Sequence, residues 1–153
     1  MRPYVVYVDM VGDLFHAGHV RFLEQARSLA EERSGGRPVR LVVGLMGDEA
    51  AEQYKRRPVQ PLAQRVIVVA ACRHVDEVVG DAPMPVDDAF LDRHDVDLVV
   101  HGDDMAEDGL RYWYAAALAR DAFAVVPYTG EIDGVAVSTS ELIRRAGERP
   151  ASQ

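Results

Sequence analysis

Apolar runs of strand length alternate with segments of helical periodicity along this chain. That alternation predicts an α/β protein, a Rossmann-like parallel five-stranded sheet with helices on both faces. The strand-like runs support this class. Tyr4-Val5-Val6-Tyr7-Val8 and, after Arg40, Leu41-Val42-Val43-Gly44-Leu45 are apolar on successive residues rather than on alternate ones, as strands covered on both faces must be. The first run also leads through a small-residue loop, Gly12-Asp13-Leu14-Phe15-His16-Ala17-Gly18-His19, straight into a helical pattern.

The elements follow in order. Val5 to Val8 reads as a buried strand. Val20 to Glu32 reads as a helix with Phe22, Leu23, Ala26, Leu29 and Ala30 on one face, closed by Ser34-Gly35-Gly36-Arg37-Pro38. Arg40 to Leu45 is the second strand, Asp48 to Gln53 a short helix, and Pro58 and Pro61 bracket a turn. Leu62 to Cys72 reads as a long helix, apolar on most faces and therefore expected to be buried. Val75 to Val79 is the third strand. Asp87 to His94 is a short helix capped by Asp87 or Asp88. Asp97 to Val100 is the fourth strand, Leu110 to Arg120 a helix and Ala122 to Val126 the fifth strand. Tyr128 to Val137 reads as a loop and Ser138 to Ala146 as the last helix. Residues 3–147 are expected to form one domain and 148–153 a frayed tail.

Composition narrows the function. The chain has 153 residues, 48% hydrophobic and 27% charged, with a formal net charge of −8. That charge argues against non-specific binding to nucleic acid, and an acidic chain that handles phosphates must concentrate positive charge locally. One cysteine excludes an intrachain disulfide framework and fits a reducing compartment. No apolar run approaches the ~20 residues of a membrane span. Met1-Arg2-Pro3 leads directly into a strand, not a signal peptide, so a cytoplasmic location is expected.

Four loops fall at strand ends on one edge of the expected sheet, where such folds bind ligands. The first carries His16 and His19, three positions apart and so on one side of the first helical turn, with Gly18 leaving the backbone open to approach. A helix N-terminus with unpartnered N–H groups suits an anion there. The histidines could instead bind zinc, but a metal site needs further ligands, and Cys72 lies in an apolar helical run. The second loop leads to Lys55-Arg56-Arg57, which as a bare triplet also reads as a solvated face. The third is His101-Gly102-Asp103-Asp104, whose carboxylates can accept from ribose hydroxyls or simply form a turn. The fourth ends in Ser138-Thr139-Ser140. There Ser138 with Glu141 makes a capping box that needs no ligand, and the hydroxyls also offer a second anion site facing the first. Together the four describe a nucleotide-binding crevice.

His16-Ala17-Gly18-His19 resembles the HxGH signature of the nucleotidyltransferase superfamily. Val8-Asp9 leading to Asp13, Tyr54-Lys55 with Pro58-Val59, Gln64-Arg65, Cys72-Arg73-His74-Val75-Asp76-Glu77-Val78-Val79 and His101-Gly102-Asp103-Asp104 narrow it. With these the chain is similar, from about Val5 to Arg145, to CTP-dependent cytidylyltransferases acting on phosphoethanolamine, phosphocholine or glycerol 3-phosphate. The resemblance implies transfer of CMP from CTP to a small phosphate- or phosphonate-bearing acceptor, with Mg²⁺ and a homodimer whose interface lies near Arg73 to Val78. It implies that His16 and His19 stabilise charge at the α-phosphorus and that Lys55 grips phosphates. Val11, Gly12, Asp13, Gly18, Arg65, Gly102, Asp104, Ser138 and Thr139 would contact the nucleotide, and Asp13, Lys55 and Arg57 the acceptor. An adenylyltransferase of the same superfamily and a non-catalytic nucleotide-binding module stay open, as does 2-hydroxyethylphosphonate as acceptor.

The chain departs from the pattern at Met10 and Gly12, where the family has glycine and an aromatic. It departs again at Tyr128-Thr129, where the family has Arg-Thr before Gly-Ile-Ser-Thr. The longer Gly130 to Val137 segment is expected to shape the acceptor pocket. There Glu131 and Asp133 either meet an ammonium group or point to solvent. Tyr112-Trp113-Tyr114 is not expected to form an aromatic cage, since consecutive helical residues diverge by about 100°.

Overall fold

The computed structural model describes residues 1–128 and 130–148; Thr129 and the tail from 149 lie outside the described residues. The order is β1 (Tyr4–Met10), α1 (Ala17–Arg33), β2 (Val39–Leu45), α2 (Asp48–Tyr54), α3 (Leu62–Ala70), β3 (Glu77–Gly80), α4 (Asp88–Arg93), β4 (Val96–Gly102), α5 (Glu107–Trp113), α6 (Ala115–Ala119), β5 (Phe123–Val126), β6 (Glu131–Ile132), β7 (Val135–Ala136) and α7 (Thr139–Glu148). The main sheet has five strands in the order β3-β2-β1-β4-β5, all parallel. The chain leaves β1 toward β2 on one side and returns to β4 on the other. The strand order therefore reverses between β1 and β4, and a crevice opens beyond their carboxyl ends.

Each face of the sheet has its own core, as the uninterrupted apolar strands require. Val6 and Val8 of β1 pack with Leu23 and Ala26 of α1 and with Val69 of α3. Val5 and Tyr7, on the opposite face, pack with Phe90 and Leu91 of α4 and with Tyr114 and Ala117. One close approach decides a residue type. A Cβ on Gly44 of β2 would stand 1.9 Å from the Tyr7 hydroxyl oxygen and 2.8 Å from the Ala82 Cβ, so only glycine fits beneath that ring.

Several elements differ from the sequence reading. The helix from Leu62 ends at Ala70, short of Cys72, and is not buried all round: Arg65 and Val69 are enclosed, while Ile67 is 70% exposed. The third strand begins at Glu77. Residues before it are drawn into a turn, because the Asp76 carboxylate accepts from Leu41 N–H and the Asp76 N–H donates back to the Leu41 carbonyl. β4 continues through His101 and Gly102, paired with Val125 and Val126, so these two belong to the strand rather than to the loop. The helix from Leu110 is two, α5 and α6, broken at Tyr114, whose φ and ψ of −123° and 26° are not helical. That break turns the Tyr114 ring under β1. Within 128–137 a short antiparallel hairpin, β6–β7, replaces the expected plain loop. α7 runs to Glu148, where Arg144 pairs with both Glu141 and Glu148. Asp87 caps α4 as expected, accepting from Phe90 N–H at 2.8 Å. Among the described residues no helix is long and apolar enough to cross a membrane.

The buried Tyr7 hydroxyl has no hydrogen-bond partner among the described residues. Tyr7→Phe should therefore be neutral or stabilising in urea denaturation, since an unsatisfied buried hydroxyl carries its desolvation cost. Gly44→Ala should lose about 1–3 kcal/mol by overpacking. Part of that loss should return in the Tyr7→Phe background; full additivity of the two changes would contradict the contact.

Candidate functional site

The site is built from loops that a single buried cation gathers. Arg65 of α3 is 0% exposed. Its Nε donates to the Gln60 carbonyl at 2.9 Å, and Nη1 to the carbonyls of Val11 at 2.7 Å and Met46 at 2.8 Å. Its Nη2 donates to the Asp48 carboxylate at 2.6 Å. These partners belong to the loops after β1 and β2, to the first turn of α2 and to the turn before α3. The guanidinium beside it holds the Asp48 carboxyl below the usual carboxylate range. A second clamp lies alongside. The buried Asp13 carboxylate accepts from Val59 N–H at 2.8 Å and Gln60 N–H at 3.0 Å, and the Gln60 side-chain oxygen accepts from Leu14 N–H at 3.0 Å.

The first turn of α1 is held by the two histidines themselves. His16 Nδ1 accepts from Gly18 N–H at 3.0 Å, and His19 Nδ1 accepts from His16 N–H at 3.1 Å, a capping box made of imidazoles. Their rings lie 3.9 Å apart. This alters the expectation of a free backbone anion site at the helix N-terminus: Gly18 N–H already has a partner. An Nδ1 that accepts leaves the proton of a neutral imidazole on Nε2, so each ring presents an N–H away from the helix. His16 Nε2 lies 3.4 Å from Thr139 Oγ1, which itself donates to the Asp13 carbonyl at 3.0 Å. Burial lowers the His16 pKa, and burial followed by repulsion from His16 lowers His19 from 6.5 to about 3. Both rings are neutral at pH 7. Gly18 is required here because a Cβ would meet the His16 ring at 2.8 Å.

A cavity of about 300 Å³ opens above these groups at the carboxyl ends of β1 and β4. Of the expected residues, His19, Lys55, Val11, Gly12, Asp13, Gly102, Asp104, Ser138 and Thr139 line it. His16 stands behind Thr139, and Gly18 lies under the His16 ring; neither is on the wall. Two expectations are corrected. Arg65 lies outside the lining and is wholly enclosed, so it holds the loops rather than touching a nucleotide. Arg57 also lies outside the lining and pairs with Glu52 at 3.0 Å, so it is not placed for an acceptor. Ser138 acts as the cap its spacing suggests, its hydroxyl accepting from Glu141 N–H at 3.0 Å. Of the paired aspartates, Asp103 accepts from Tyr128 N–H at 2.8 Å, which leaves Asp104 facing the cavity. Of the two readings for the hairpin carboxylates the structure takes the solvent one: Glu131 and Asp133 are exposed and line no part of the cavity.

The sequence reading missed two groups. Asp9, at the end of β1, lines the cavity. One of its carboxylate oxygens accepts from the Tyr114 hydroxyl at 2.5 Å, and the other has no partner among the described residues. Burial raises its pKa, against the opposing pull of the Tyr114 hydrogen bond and of His101. Its place on the same strand face as Tyr7, two residues on, was the available signal. The second is Arg56, which lines the cavity where Arg57 does not. Among the described residues no group of three histidine, cysteine or acidic side chains could hold a metal ion.

Comparison with known proteins adds to this geometry. Residues 12–145 match a family model described as cytidylyltransferase-like. The chain is 33% identical over 148 residues to a choline-phosphate cytidylyltransferase 2 of Arabidopsis thaliana, covering 94% of this chain and 45% of the relative. It is 38% identical over 107 residues to an ethanolamine-phosphate cytidylyltransferase of the same plant, covering 67% of this chain and 24% of the relative. The human choline-phosphate cytidylyltransferase A is 34% identical over 148 residues, covering 94% of this chain and 36% of the relative. The chain thus spans less than half the length of these relatives. A crystal structure of a lipopolysaccharide core biosynthesis protein from Thermoplasma volcanium shares the fold. It has a TM-score of 0.61 at 17% identity and covers 82% of this chain and 96% of the other.

The neutral histidines set a pH dependence of stability. The folded His19 binds a proton only near pH 3, whereas unfolded imidazole binds one near 6.5. Between those values the unfolded state holds more protons, so stability is full above about pH 6.5 and falls as the pH drops toward 3. The urea midpoint should fall from pH 7 to pH 5, and less steeply in His19→Asn, which keeps an acceptor for His16 N–H without titrating. An equal slope in both proteins would place the sensitivity elsewhere. Arg65→Met should cost about 3–5 kcal/mol, because it strands the Asp48 carboxylate and three carbonyls together.

Proposed function

The chain belongs to the cytidylyltransferase-like family, and from that we propose that it moves CMP from CTP to a small phosphorylated alcohol, releasing pyrophosphate. The observation that carries this reading is the histidine pair. Two neutral imidazoles 3.9 Å apart, each with Nδ1 fixed by a backbone N–H, have only Nε2–H left to offer, His19 at the cavity wall and His16 from behind Thr139, whose Oγ1 lies 3.4 Å from it. Such donors suit charge that develops on phosphate oxygens, and they are oriented before the reaction begins. The acceptor's phosphate oxygen attacks the α-phosphorus in line. The new P–O bond forms as the bond from the α-phosphorus to the β-phosphate oxygen breaks, and the electron pair leaves with pyrophosphate. No enzyme nucleophile is needed, so the residues act by positioning and electrostatic stabilisation. Lys55 supplies positive charge from the cavity wall, and Asp104 is placed to accept from ribose hydroxyls. Mg²⁺ enters with the nucleotide, as the phosphates' counter-ion in the substrate.

The acceptor we propose carries an ammonium group, as phosphoethanolamine does. Asp9 supports this: it is a carboxylate lining the cavity, and a ligand cation drawn beside it would favour its charged form, which burial now disfavours. We further propose a homodimer. Ile67 and Val68 of α3 lie on the surface close in sequence to the Arg73 to Val78 segment, and a second copy would cover them.

His16→Ala and His19→Ala should each lower kcat far more than they weaken CTP binding, by about 3–4 kcal/mol in the barrier, as for a lost oxyanion donor. Near-normal turnover in both would misplace the site. CTP should be used in preference to ATP. Asp104→Ala should weaken CTP binding in calorimetry with a smaller effect on kcat. Phosphoethanolamine should exceed 2-hydroxyethylphosphonate and glycerol 3-phosphate in kcat/KM, and Asp9→Asn should lose roughly 10- to 100-fold on phosphoethanolamine alone. A wild type that prefers the phosphonate would overturn the ammonium contact and leave CMP transfer intact.

A further inference from the structure

The basic triplet Lys55-Arg56-Arg57 divides its charge. Arg57 is exposed and pairs with Glu52. Lys55 and Arg56 line the cavity, and neither has an ion-pair partner among the described residues. Arg56 is the half-buried member of the three. Its guanidinium reaches across to α7, where Nη1 donates to Ser140 Oγ at 3.1 Å. Ser140 follows Thr139, whose hydroxyl lies 3.4 Å from His16 Nε2. Arg56 therefore stands on the histidine side of the cavity, its other guanidinium N–H groups without partners among the described residues.

That arrangement needs an anion. The chain carries 25 acidic residues against 17 basic ones, yet none of them pairs with this guanidinium. A half-buried arginine held by a single neutral hydroxyl keeps most of its fork free for a planar or tetrahedral oxyanion. Tyr128 also lines the cavity, beside the first turn of α1, its phenol oxygen 3.4 Å from where a Gly18 Cβ would stand, and it brings no positive charge there. We propose that Arg56 is a binding residue for the nucleotide's β- and γ-phosphates, exchanging the Ser140 hydroxyl for phosphate oxygens and holding the pyrophosphate as it leaves. The inference rests on the reading of the cavity as a CTP site and adds to it the source of charge at the leaving group.

The test is pyrophosphate and CTP binding by calorimetry, with steady-state kinetics, on wild type and three variants. Arg56→Gln keeps a donor for Ser140 and removes the charge. It should weaken pyrophosphate and CTP about 10- to 100-fold while leaving thermal stability near wild type. Arg56→Lys should restore part of the loss. Arg57→Ala should bind both ligands as wild type does. Tyr128→Arg placed in the Arg56→Gln background should recover affinity, since it returns a guanidinium to the same cavity. Wild-type affinity in Arg56→Gln, or an equal loss in Arg57→Ala, would overturn the proposal. So would a fall in stability with no selective loss of pyrophosphate, which would make Arg56 a structural strap. Wild-type binding of both ligands without CMP transfer would overturn the proposed reaction and leave Arg56 in place; failure of wild type to bind either would overturn both.

Discussion

The site depends on one buried guanidinium. Arg65 is fully enclosed, and four of its donors hold Gln60, Val11, Met46 and Asp48. Loops at a sheet edge have few apolar contacts of their own and would otherwise move independently. A planar cation with donors in fixed directions makes three of them into one body, because each carbonyl it takes is satisfied only at one position. The cost of burying that charge is met by Asp48 and by carbonyl dipoles. The Asp13 carboxylate repeats the scheme with the opposite sign, accepting from two consecutive backbone N–H groups of the loop that Arg65 also holds. The strand order sets where the crevice opens; these two side chains set how firmly its walls stand.

The same economy governs the histidines. An imidazole that caps its own helix gives up one nitrogen to the backbone, and what remains is a donor of fixed direction. His16 and His19 are therefore structural and chemical at once. Their shared turn explains why Gly18 separates them: any side chain there would strike the His16 ring.

Much of this was legible in the residues. Continuous apolar runs announce a parallel sheet covered on both faces, because a strand with two buried faces cannot alternate. His16-Ala17-Gly18-His19, the basic triplet and the Ser138 capping box mark three of the cavity's walls. What stayed hidden depended on contacts distant in sequence. Arg65 resembles a ligand contact in sequence, and only the convergence of Val11, Met46 and Gln60 upon it shows a structural tie. Arg56 and Arg57 are indistinguishable as neighbours; Glu52 takes one and leaves the other to the cavity. Asp9 is a single acid at the end of an apolar run, and its significance waits on the break between α5 and α6 that brings the Tyr114 hydroxyl to it. The apolar count of α3 misled for a related reason. Its enclosed positions hold a cation and a valine, while Ile67 faces outward.

Charge placement joins these observations. Neutral imidazoles donate hydrogen bonds without adding positive charge, so they cannot alone offset a triphosphate in a chain of net charge −8. Elsewhere the basic residues are largely spent on acids of their own: Arg2 on Asp97, Arg27 on Asp76, Arg120 on Asp88 and Asp92. These pairs cancel field over the surface, and exposed pairs contribute little to stability. Of the described cations without an ion-pair partner, Lys55 and Arg56 are the two on the cavity wall, so they supply the positive potential a phosphate would feel there. An acidic surface around such a cavity disfavours anions, so any phosphate that entered it would depend on these two side chains for positive charge.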